Sequence, residues 1–174
     1  MQKNAQANLG LMVKNAVIAM QKAFDFELQK SVGINWSQAK VIMMLAQKDG
    51  MAQKEIADGI CIEAPTLVPI IDRMEREELV ERRQDAADRR NNRVYLTGKS
   101  RPLQDAIDES VARVRKVAYK GISKDELEMT MRVMDMISKN ISDYYTESSR
   151  QQQTALAEPQ KTTTAAATAT TTKQ

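Results

Sequence analysis

The stretch ERRQDAADRRNNRVYLT, Glu81 to Thr97, holds five arginines, Arg82, Arg83, Arg89, Arg90 and Arg93, beside two aspartates, Asp85 and Asp88. From Arg82 to Arg93 there is no lysine, and five positive charges less two negative leave +3, the same as the formal net charge of the whole 174-residue chain. A guanidinium is planar, permanently charged and less tightly hydrated than an ammonium, which suits phosphate oxygens and the concentrated negative potential of a narrow DNA minor groove. Mixed-charge runs are usually solvated surface. The all-arginine usage, placed on a hairpin directly after two helices, favours contact with nucleic acid. Other chemistries find little material here. The chain has no histidine and one cysteine, Cys61, so no intrachain disulfide, His/Cys metal cluster, Ser-His-Asp set or Cys-His pair can be assembled. The 6 glycines form no phosphate-cradling loop. Neither enzymatic activity nor a metal or other cofactor is expected.

The cluster must be positioned by the elements around it. Leu9, Met12, Val13, Ala16, Val17, Met20 and Phe24 recur at spacings of three and four, which predicts a helix with one apolar face. After a turn at Gly33, Asn35 and Gln38 form a capping-box pattern that opens a second helix, ending near Gly50. A short helix from Gln53 to Asp58, a turn at Gly59 to Ile62 and a longer helix to about Glu77 follow. LVERRQ and NRVYLT read as strands, with the polar gap Asp85 to Asn92 as the hairpin tip. Two helices, a tight turn and a basic hairpin predict a winged helix-turn-helix, the second helix entering the major groove and the hairpin reaching along the backbone or into the minor groove.

A further helix is expected from Ser100 to Lys120, with Pro102 in its first turn if Ser100 is the cap. The last helix opens on the capping box Ser123 and Glu126 and carries Leu127, Met131, Met134, Ile137 and Ile141 on one face. The stripes of the first and last helices have no large domain to cover them, which predicts pairing with a second copy of the chain. From Ser148 the sequence is rich in threonine, alanine and glutamine and predicts a disordered tail. The expected architecture is therefore mainly α with a small β-hairpin wing. It comprises a dimerisation helix over residues 1–34, a winged helix-turn-helix over 35–98, dimerisation helices over 99–147 and the tail over 148–174. A pI near 9.0 permits nucleic acid as a partner, and 11 methionines against 4% aromatics predict an aliphatic, sulfur-rich core. No signal-peptide pattern and no run of 18 apolar residues is present, so a cytoplasmic protein without membrane contact is expected.

The longer helix of the pair, CIEAPTLVPIIDRM, is poor in the Arg, Asn and Gln side chains that read base edges. Thr66 is its polar reader, with Ala64, Leu67 and Val68 available for thymine methyls, and Pro69 is expected to kink it. Ala52 and Glu63 are weak caps for the two helices. Arg73 and Arg76, among Asp72, Glu75, Glu77 and Glu78, are expected to form intrahelical ion pairs. Cys61, beside Ile60, Ile62 and Glu63, is expected to be an inert, partly buried thiol rather than a redox sensor.

Residues 8 to 145, and above all DRMEREELVERRQDAADRRNNRVYLT, resemble the MarR family of bacterial transcriptional regulators. The hallmark is an Asp-x-Arg wing tip and an alternating strand ending in Leu-Thr, here Asp88, Arg90, Val94, Leu96 and Thr97. The resemblance implies a homodimer, held by its first and last helices, that binds double-stranded DNA at a pseudo-palindromic operator, more as a repressor than an activator. It implies that Arg90 enters the minor groove and Asp88 orients a wing arginine. Arg89 and Arg93 would contact phosphates, and Arg82 and Arg83 are further DNA-binding candidates. Many relatives release DNA when a small aromatic or anionic effector fills a pocket near the dimer helices. Phe24, Trp36, Met43, Met44 and Tyr119 are the candidate walls here, with ordinary core packing as their plainer use. The alternative to an operator-binding regulator is a winged-helix protein-interaction module, suggested by the helix that lacks base readers.

Overall fold

A computed structural model describes residues 2–85 and 92–157, and the chain divides into two compact units, Met1–Lys120 and Gly121–Gln174. In the first unit, α1 spans Gln2–Val32, α2 Trp36–Gln47, α3 Gln53–Gly59 and α4 Ala64–Arg76. Strands β1 (Met51–Ala52), β2 (Val80–Gln84) and β3 (Asn92–Leu96) form an antiparallel sheet in the order β1-β3-β2. A single 3-10 turn at Arg101–Leu103, entered from Ser100 and holding Pro102, then leads into α5 (Gln104–Ala118).

The caps explain where these helices start and stop. Asn35 and Gln38 exchange hydrogen bonds, the Gln38 N–H to Asn35 Oδ1 at 2.9 Å and the Asn35 N–H to Gln38 Oε1 at 3.0 Å, which satisfies orphan donors at the start of α2. The Trp36 N–H donates to Asp25 Oδ1 at 2.7 Å, tying α2 to α1. Ala52 has no side-chain acceptor to cap α3, so only half of a capping box forms, with the Ala52 N–H donating to Glu55 at 2.8 Å. Both α3 and α4 close in Schellman motifs. Ile62 donates to the Ala57 carbonyl and Cys61 to that of Asp58. In the same pattern Leu79 donates to Met74 and Glu78 to Glu75. The residues in the left-handed position are Cys61 (φ 56°) and Glu78 (φ 59°), where glycine would carry no Cβ penalty.

The core gathers one face from every element of this unit. Leu28, Ile42, Leu45, Ile56, Leu67, Ile71, Met74 and Ile107 are fully enclosed. Burial of aliphatic side chains of this size stabilises by about 1.5–3 kcal/mol each, an upper estimate that already-compact unfolded chains reduce. Phe24 stacks on Trp36 with ring centroids 4.2 Å apart, sealing the α1–α2 corner. Toward its N-terminus α1 leaves the core: Leu9, Leu11, Met12, Val17 and Ile18 are exposed.

In the second unit, α6 (Lys124–Ala157) starts on the expected box, Ser123 Oγ accepting from the Glu126 N–H at 3.3 Å and Glu126 accepting from the Ser123 N–H at 2.8 Å. It continues past Ser148, where the disordered tail was expected to begin. The segment has few groups to bury, but Gln, Arg, Leu and Ala are good helix formers and extend an existing helix at little cost. Residues 158–174 of that tail lie outside the described residues.

Candidate nucleic-acid interface

The pleat of the β2–β3 hairpin sorts its charges into two faces. Register pairs Val80 with Leu96, Glu81 with Tyr95, Arg82 with Val94, Arg83 with Arg93 and Gln84 with Asn92. Side chains alternate along a strand, so Val80, Arg82, Val94 and Leu96 share the face toward the core, and Glu81, Arg83, Arg93 and Tyr95 share the other. Two arginines directly opposite would repel. Arg83 instead pairs with Glu81 and lies 4.5 Å over the Tyr95 ring, while Arg93 donates to Asp85 at 2.6 Å and to the Gly50 carbonyl at 2.9 Å. The Asp85 carboxylate raises the Arg93 pKa above its ordinary value. Arg93 thus fastens the hairpin to the α2–β1 turn as well as placing positive charge on the outer face.

Arg82, taken from the sequence as a DNA-binding candidate, is turned the other way. Its guanidinium donates to Asp72 and Glu75 of α4, at 2.6 Å each, and its backbone N–H donates to Glu75 at 3.2 Å. Burial alone would depress its pKa, but the two carboxylates outweigh that and raise it. Arg82 is a brace between hairpin and helix. The alternation Val80-x-Arg82 was the signal that could have placed it inward.

Helix α4 has a sharply divided surface. Leu67, Ile71 and Met74 are 0% exposed, which corrects the expectation that Leu67 reads DNA: it is a core residue, one turn before Ile71 on the buried face. On the opposite side, Pro65, Val68, Pro69 and Arg76 are exposed and follow helical spacing around the half-buried Asp72, with Ala64 and Thr66 also exposed beside them. The helix runs unbroken through Pro69, although that residue has no N–H to offer the Pro65 carbonyl. Arg73 donates to Glu77 at 2.8 Å, an exposed i,i+4 pair, and Glu77 also accepts from the buried Gln38 of α2. These contacts, led by Arg73, hold the Glu77 carboxyl below the usual carboxylate range.

Asp88, Arg89 and Arg90, the expected wing tip, lie in residues 86–91, outside the described residues. Cys61 is exposed rather than partly buried, and occupies the left-handed position of the turn that closes α3. The five candidate effector-pocket residues are spread through the fold. Phe24 and Trp36 stack on one another, Met43 and Met44 pack half-buried against the core, and Tyr119 is exposed where α5 ends. An apolar cavity of about 550 Å³ instead lies between α1 and α5, lined by Met20, Ala23, Phe26, Val114 and Val117, with the Glu27–Arg113 pair (3.2 Å) at its wall. The charged pair and the exposed Phe26 and Val117 were not singled out from the sequence; their helical spacing was its only trace.

The hairpin, the α3–α4 pair and the sheet order define a winged helix-turn-helix protein. Residues 34–91 match the model of the MarR family. Among solved structures, the transcriptional regulator PA3341 is 29% identical, with a TM-score of 0.67 over 77% of this chain and 98% of its own. The transcriptional repressor CouR bound to a 23-mer DNA duplex is 23% identical, with a TM-score of 0.69 over 79% and 97%. BpsR of Bordetella bronchiseptica, whose DNA binding is regulated by 6-hydroxynicotinic acid, is 19% identical, with a TM-score of 0.69 over 75% and 92%. Over residues 34–91, a third of its length, the chain is thus similar to the MarR family.

Proposed function

We propose that this protein is a cytoplasmic transcriptional repressor that binds a pseudo-palindromic operator as a homodimer. The observation that carries the reading is the pairing of an exposed α4 face with an outward arginine face on the adjoining hairpin, joined through Arg82. In this reading α4 enters the major groove through Ala64, Thr66 and Val68, and the hairpin follows the phosphates with Arg83, Arg89 and Arg93. Arg90 enters the minor groove and Asp88 orients it. Exposed apolar residues on α1, and separately Met131, Ile137, Ile141 and Tyr144 on α6, supply surface for a second copy. A small aromatic or anionic effector is part of the proposal, by analogy with the regulation of BpsR.

The test is a footprint of the purified protein on the DNA flanking its own gene, with Arg90→Ala beside it. Protection of two half-sites about one helical turn apart, lost in the variant, is the expected result. The apolar character of the exposed α4 residues favours a second reading, a winged-helix module that binds protein. Absence of any protected site there and across the genome would transfer the assignment to that reading.

A further inference from the structure

Within the first two turns of α4, the exposed side chains are Ala64, Pro65, Thr66, Val68 and Pro69. Four of them present only C–H surface, and the Thr66 hydroxyl is the one hydrogen-bonding group. Val68 is 43% exposed and takes no part in the core. Alanine and proline have no rotamer freedom to lose on contact, and valine has little, so this patch can engage an apolar group at low entropic cost. The exposed charges on the surrounding elements are of both signs: Lys54 of α3, Arg76 at the far end of α4 and Arg83 of the hairpin, with Glu63 just before the helix and Glu75 within it. An exposed, nearly apolar patch at the start of the second helix of a helix-turn-helix, in a fold shared with the DNA-bound repressor CouR, fits a polyanion that displays apolar groups inside a groove. The major groove of DNA displays one such group, the methyl on C5 of thymine.

We infer that α4 selects its DNA by the C5-methyl groups of pyrimidines, with Val68 and the Thr66 methyl as the contacting groups and Pro65 and Pro69 as rigid walls. The inference rests on the DNA-binding reading above and specifies its ligand. It has a consequence that a hydrogen-bonding helix would not share. A reader that pairs with O4 of thymine rejects cytosine, whose corresponding group is an amine, whether or not the cytosine is methylated. A reader of the methyl accepts 5-methylcytosine in place of thymine better than it accepts cytosine, so cytosine methylation within the operator strengthens binding.

The experiment selects preferred duplexes from a random library with the full-length protein, then replaces each thymine in turn by deoxyuridine, which removes the methyl alone. About fourfold weaker binding is expected for each thymine that α4 covers, the equivalent of one buried methylene-sized group. At those positions 5-methylcytosine is expected to bind about fourfold more tightly than cytosine. In Val68→Ala the discrimination at the Val68 position disappears, which separates a direct contact from an effect of the methyl on DNA shape. Equal binding of thymine and uracil at every position would overturn the inference while leaving DNA binding intact. Persistence of the discrimination in Val68→Ala and in Thr66→Ser would equally overturn it. Failure to bind any duplex, even at low salt, would overturn the DNA-binding reading itself.

Discussion

Arg82 and Arg83 follow one another in the chain, yet the pleat of β2 sends the first inward to Asp72 and Glu75 and the second outward over Tyr95. Removing Arg82 would leave two carboxylates of α4 without their cation and free the hairpin from the helix. Arg82→Ala is expected to cost about 1–2 kcal/mol of stability, less than a fully buried pair because Asp72 and Glu75 are partly solvated. It is also expected to weaken operator binding beyond Arg83→Ala, checked by denaturant unfolding and by titration with DNA. At Glu78 the backbone sits at φ 59°, so Glu78→Gly is expected to stabilise by about 1 kcal/mol despite losing an exposed 3.5 Å pair with Lys99. Gly50 has the opposite logic. Its φ is +73° and an added Cβ would fall 2.6 Å from the Tyr95 ring, so Gly50→Ala is expected to lower the unfolding midpoint and disturb the hairpin that Arg93 ties to it.

At the level of elements, caps govern how the helices respond to pH. Glu55 is held below the usual carboxylate range by the Ala52 N–H and then Lys48, Glu77 chiefly by Arg73, and Glu126 by the Ser123 side chain and N–H. A depressed folded-state pKa contributes stability that is present above the unfolded value and lost as pH falls through the folded one. The thermal midpoint is therefore expected to fall as pH drops below the usual carboxylate range, and Glu77→Gln is expected to flatten that dependence. Ala52→Ser would complete the half-made box of α3 and is expected to stabilise by roughly 1 kcal/mol. The helices and the hairpin were legible in the sequence because periodicity and capping are local properties: Asn35 with Gln38 and Ser123 with Glu126 announce their helices within four residues. Strand β1 was not legible, since two residues show no alternation and Met51–Ala52 becomes a strand only by pairing with β3. Leu67 was misread for a related reason. Its apolar character fits either face of α4, and only the burial of Ile71 and Met74 decides which.

For the molecule as a whole, the exposed apolar residues of α1 give the proposed dimer its clearest test. Met12→Glu or Val17→Glu would place a charge among Leu9, Leu11 and Ile18 without disturbing the enclosed core. Each is expected to shift the protein toward a monomer in sedimentation and to lose most operator affinity while keeping its helical content. The central claim, that this winged helix-turn-helix chain is an operator-binding regulator, is tested most directly by the salt dependence of its affinity for a selected operator beside a scrambled duplex. If two winged domains together engage roughly six to ten phosphates, affinity should fall about a thousandfold or more between about 50 and 200 mM salt, with the operator preferred by at least about a thousandfold throughout. Weak binding that is flat with salt and indifferent to sequence would contradict it.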